Sequence, residues 1–159
     1  MNRLLFFLIT SAFLATVFSG CGGKPSGQIS TASKGYDTEK MDAAIAKAKS
    51  GIEDFVTALE SSDGEGFAIK EKINTTGNTN EHVWLTNVEH ADGQFKGTVG
   101  DQQYIADLEP ESIRTVEKEN VVDWKYEKDG KVFGNYTLRL LIKSVPEDAR
   151  EPYDVEYGN

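Results

Sequence analysis

The chain has 159 residues, 38% of them hydrophobic and 27% charged, which suits one folded domain with a short extension and excludes long disorder or a multi-span membrane protein. Its 17 basic and 26 acidic side chains leave a formal net charge of -9, a balance that repels nucleic-acid phosphates and excludes them as expected partners. Lys70, Lys72 and Lys96 are too dispersed in sequence to form a basic stripe, and the single cysteine, Cys21, allows no internal disulfide.

Arg3 precedes Leu4 to Phe18, an uncharged run shorter than the ~20 apolar residues that span a bilayer but long enough for the hydrophobic part of a secretory leader. The run ends in Val17-Phe18-Ser19-Gly20-Cys21. Small residues directly before a cysteine resemble the lipobox of bacterial lipoproteins, although Phe18 stands where that motif prefers Leu. The resemblance implies cleavage before Cys21 and a diacylglycerol on its thiol. Gly22 in place of Asp then implies sorting to the outer membrane, facing the periplasm. Two or more acyl chains, at ~0.8 kcal/mol per buried CH2, make such an anchor effectively permanent. Without Arg3 the mature chain would carry 16 basic against 26 acidic residues.

The organisation expected is therefore a leader over 1–20, a lipidated cysteine and flexible linker over 21–36, one α+β domain over 37–145, and an acidic tail over 146–159. Residues 22–36, rich in Gly, Ser and Thr, read as linker. Asp37 or Thr38 can cap a helix whose apolar positions, Met41, Ile45, Ala48, Ile52, Phe55, Val56 and Leu59, fall on one face. Gly51 weakens its middle. From Phe67 the period becomes two. Strands are expected over Phe67–Ile73, His82–Val88, Gln94–Val99, Ile113–Glu117 and Val121–Tyr126, with a brief pairing at Tyr104-Ile105-Ala106. Asp92-Gly93 and Asp129-Gly130 are hairpin signals. Val132–Ile142 fits strand or helix, and the alternation of Tyr136, Leu138, Leu140 and Ile142 favours strand. The fold class is α+β: an N-terminal amphipathic helix with a small, curved, mostly antiparallel sheet.

Several short motifs stand out within 67–141. They are Phe67-x-Ile69-Lys70, Glu81-His82-Val83-Trp84-Leu85, Phe95-x-Gly97, Val122-Asp123-Trp124-x-Tyr126 and Asp129-Gly130-Lys131-x-x-Gly134-x-Tyr136-Thr137-x-Arg139-x-Leu141. Together they resemble a YegJ-like domain of unknown function found in bacteria. The resemblance implies one compact domain and lends no activity.

Catalytic signatures are sparse. A serine-nucleophile elbow and a phosphate-binding glycine loop are both missing, and no cofactor is expected. His82 and His90 share strand parity, but eight residues of strand hold them ~26 Å apart, so no metal site is expected. Asp123 beside Trp124 is the best candidate for a perturbed carboxylate, with Arg139 as its conceivable partner and His82 as a conceivable base. Trp84, Trp124, Tyr126 and Tyr136 read as core aromatics. The expectation is a non-enzymatic envelope lipoprotein, held to the bilayer through acylated Cys21, that binds another envelope or secreted protein. One form of it is an immunity-like protein neutralising a toxin. The alternative is a hydrolase-like enzyme with a site around Asp123 and His82.

Overall fold

A computed structural model describes residues 37–74, 80–100 and 108–159. The expected leader, Cys21, the expected linker and the expected pairing at Tyr104-Ile105-Ala106 lie outside those residues. Helix α1 (Thr38–Ser50) starts at Asp37, whose carboxylate accepts the Lys40 amide at 3.2 Å. Gly51 then divides what reads in sequence as one helix, and α2 (Ile52–Glu60) follows. The cause is packing: a Cβ at Gly51 would stand 3.0 Å from the Trp124 ring, whose Nε1 donates to Ala48 O at 2.8 Å. The indole needs both the missing side chain and the loosened turn.

Six strands form one antiparallel sheet: β1 (Glu65–Asn74), β2 (Asn80–Ala91), β3 (Gln94–Val99), β4 (Ile113–Glu117), β5 (Val121–Lys128) and β6 (Lys131–Gly134). Their order is β4-β3-β2-β1-β5-β6. The two-residue turns Asp92-Gly93 and Asp129-Gly130 have positive φ at both positions, as right-twisted hairpins require. Three residues, Lys118–Asn120, carry the chain from edge strand β4 to β5, four strand spacings away. A flat sheet would demand about 19 Å, while four extended steps reach at most about 14 Å, so the sheet must curl. Arg114 on β4 accordingly reaches Glu71 on β1 with two hydrogen bonds, 2.8 and 3.1 Å.

Helices α1 and α2 fill the concave face. Phe55, Ile69, Val83, Leu85, Phe95, Val99 and Val116 are almost fully buried there, and Phe55 packs on the rings of Phe67, Phe95, Trp124 and Tyr126. Area burial of this kind is the main source of stability.

Two expectations are corrected. Residues 132–142 are not one strand: β6 stops at Gly134, Asn135 turns the chain through φ 59, and Tyr136–Ile142 form helix α3. Nor do His82 and His90 share a face. A bulge between Thr86 and Glu89, with Asn87 at φ 50, reverses the alternation along β2. His82 pairs with Lys72 on the convex side, while the His90 ring packs at a tilt against Phe95 and meets Glu60 of α2 on the concave side.

The acidic tail returns to the sheet. After the 3-10 turns Glu147–Ala149 and Glu151–Tyr153, Tyr157 bridges Val132 in parallel, with Val132 N to Glu156 O at 2.8 Å and Gly158 N to Val132 O at 3.0 Å.

Candidate functional site

Register decides which polar side chains meet. Lys70 of β1 pairs with Trp84 of β2 on one side and Asp123 of β5 on the other, so all three share the convex face. Lys125 joins them through its pairing with Ala68, whose small side chain leaves the lysine room to lean across. Lys70 Nζ lies 4.6 Å and Lys125 Nζ 5.6 Å from the centre of the Trp84 ring. Lys72 and His82 are the next cross-strand pair along the same face.

Asp123, fully buried, anchors α3. Its Oδ1 accepts the amides of Trp124 (2.9 Å) and Tyr136 (3.1 Å), and its Oδ2 accepts the amide (2.8 Å) and hydroxyl (2.6 Å) of Thr137. Asn135 makes no side-chain cap, so a carboxylate from β5 fills that place at the helix start. The four bonds occupy all the acceptor positions of the carboxylate. Lys70 reaches it only through Thr137, donating to the hydroxyl oxygen at 2.6 Å.

Burial pushes the Lys70 ammonium down to about 8; the Asp123 charge opposes that shift and the Lys125 charge adds to it. The ordinary histidine value is likewise lowered at His82, by partial desolvation of a ring whose rim stays open to solvent and then by the charges of Lys70 and Lys72. The convex face is thus locally positive in a chain whose total charge is -9. Among the described residues, Lys70, Lys72 and Lys125 enter no ion pair with a carboxylate.

The residues singled out from sequence separate. Asp123, His82 and Arg139 make no hydrogen bond or ion pair with one another. Asp123 is spent on backbone and hydroxyl donors, and His82 stands exposed beside Lys72. Arg139 points the other way, donating to Val132 O and Gly158 O, both at 3.3 Å, with its guanidinium over the rings of Tyr136 and Tyr157. Trp124 and Tyr126 are core residues as expected, but Trp84 is not: it lies half-buried on the convex face beneath two lysines. Sequence reading missed Lys70, Lys125 and Thr137. The even-numbered row Ala68, Lys70, Lys72 alternates in the sequence with the apolar row Phe67, Ile69, Ile73, but the partner strands that complete the cluster follow from register alone. Among the described residues no group of three or more His, Cys, Asp or Glu is placed to hold a metal.

Comparison with known proteins points the same way as the short motifs. The chain is 32% identical over 115 residues to the uncharacterized protein YegJ of Escherichia coli (strain K12), an alignment covering 72% of this chain and 74% of that protein. No solved structure matches. A family model described as an uncharacterized protein conserved in bacteria (DUF2314) matches residues 38–159, from the first residue of α1 to the end of the chain and well beyond the 67–141 segment on both sides. With both the helices and the returning tail inside that match, the chain belongs to the DUF2314 family of uncharacterized bacterial proteins.

Proposed function

We propose that this protein is a lipid-anchored module of the bacterial envelope that binds a partner protein through the convex face of its sheet. The observation that carries the binding reading is the one-sided packing. Helices α1 and α2 bury the concave face, while the convex row keeps Trp84 half-exposed among lysines. Aromatic side chains with a polar rim are the usual anchors of protein interfaces. Against the enzymatic alternative, the Asp123 carboxylate has no acceptor position left for a substrate or a water. The anchoring reading rests on the leader and on Ser19-Gly20-Cys21.

Two measurements test the two halves. Palmitate should label the wild-type protein in cells and not Cys21→Ser; equal labelling of both would remove the anchor. A photoreactive residue at Thr86 on the convex face should give a discrete cross-linked protein in the envelope. The same group at Thr57, exposed on α2, should not. Cross-linking of equal pattern from both positions would remove the convex-face reading.

A further inference from the structure

We infer that the two ammonium groups held over the Trp84 ring form a binding site for a compact oxyanion of the phosphate or carboxylate type. Lys70 and Lys125 come from different strands, yet both end within 6 Å of the centre of one indole. One cation over an aromatic face is attracted to it. A second brought to the same ring meets the first as a like charge, and the arrangement is relieved by an anion bound to both.

The neighbouring carboxylate does not fill that role. Asp123 has both oxygens committed to Trp124, Tyr136 and Thr137, and it meets Lys70 only through the Thr137 hydroxyl. Lys70 is 9% exposed, and one of its three N–H groups is used on Thr137, leaving donors on the Trp84 side. Lys72, the next lysine along this row, extends the positive field, and residues 75–79 between the two strands include no charged residue. Lysines present point charges rather than a flat fork, so the pair accepts an oxyanion without demanding one bidentate geometry. Convergence on one ring also favours a single compact group over an extended charged surface. This inference deepens the binding-module reading by naming the chemistry its partner or ligand must present.

The test uses the full chain in detergent, with sodium phosphate or sodium citrate replacing sodium chloride at constant ionic strength. Tryptophan emission and thermal unfolding are followed together. Phosphate, citrate or both should produce a saturable change in emission and a rise in Tm. Saturation by phosphate alone assigns a phosphate-type ligand, and saturation by citrate as well assigns oxyanions in general. Trp84→Phe should abolish the emission change and keep the Tm rise. Lys125→Met, at a partly exposed position that leaves the Asp123 network intact, should weaken binding at least tenfold. Lys70→Met should do the same if it folds. Lys96→Met, opposite Glu89 on the same face, should bind as wild type. The inference is overturned if neither anion exceeds chloride, or if Lys125→Met binds as tightly as wild type. Either failure leaves the cross-linking and labelling results of the anchored-module reading untouched.

Discussion

The Thr137 hydroxyl donates to the Asp123 carboxylate at 2.6 Å, and this contact docks the start of α3 against β5. Asp123 is fully buried, and its removal would leave the Trp124, Tyr136 and Thr137 amides without their acceptor. Asp123→Ala should therefore cost about 3–5 kcal/mol in urea unfolding, the range for stripping one partner from a buried charged network. Thr137→Val removes one hydroxyl and keeps the amide bond, so about 1–2 kcal/mol is expected. Equal losses for the two variants would mean the carboxylate is not the hub.

Lys70 gives the fold a pH dependence of definite sign. Its folded-state value near 8 lies below the unfolded 10.5, with burial as the main cause. Below about pH 8 both states carry the proton. Between 8 and 10.5 the folded state has released it while the unfolded state still holds it, so stability rises with pH. The limiting gain is about 3 kcal/mol at 1.36 kcal/mol per unit. Tyr126, Tyr136 and Tyr157, all raised by burial, act in the opposite sense above about pH 10. Chemical denaturation from pH 7.5 to 9.5 should show the wild type gaining on Lys70→Met; parallel curves would refute the assignment.

Gly134 and Gly93 both have positive φ, 72° and 77°, yet their substitution should differ sharply. A Cβ at Gly93 meets nothing within 4 Å, so Gly93→Ala costs about 1 kcal/mol of backbone strain. A Cβ at Gly134 would stand 2.1 Å from Trp124 O and 2.4 Å from its ring. Gly134→Ala must push the indole off Phe55 and Ala48, and a loss of roughly 3 kcal/mol or more is expected with a changed near-ultraviolet tryptophan signal. A Gly134→Ala protein as stable as Gly93→Ala would contradict this packing.

Elements that obey a local rule were legible in the sequence. The Asp-Gly hairpins, the break to period two at Phe67 and the apolar positions of α1 and α2 all report on neighbours a few residues away. What escaped depends on distant partners. The helix reading of 136–142 lost to an equally good alternation because the deciding contact comes from Asp123, thirteen residues earlier than Tyr136. The parity of His90 was lost at Asn87, where one bulge reverses every later side chain on β2. Lys70, Trp84 and Lys125 look unrelated along the chain, and register alone brings them to one ring. Asp123 was singled out in the sequence as a carboxylate with Arg139 for company, but its actual partners were not foreseeable: it caps a helix instead of pairing with Arg139.

Arg139 instead clasps the tail, and that clasp can be measured. Its guanidinium lies 4.2 Å from the Tyr157 ring and bonds Gly158 O and Val132 O, joining α3, β6 and the last residues of the chain. Gly158 in turn abuts the Phe133 ring, where any Cβ would collide at 2.4 Å. Arg139→Met keeps the aliphatic stem and removes both the hydrogen bonds and the cation over the ring, so about 1–3 kcal/mol should be lost. Tyr157→Ala removes the same ring contact from the other side. Because the two side chains act on one contact, the double variant should lose less than the sum of the singles, by about 0.5–1 kcal/mol. Amide exchange at Val132 and Gly158 should quicken in both single variants, while the core amide of Ile69 on β1 should slow or quicken only with global stability. Strict additivity, or unchanged exchange at Val132, would show that the tail is held by its backbone bridge alone.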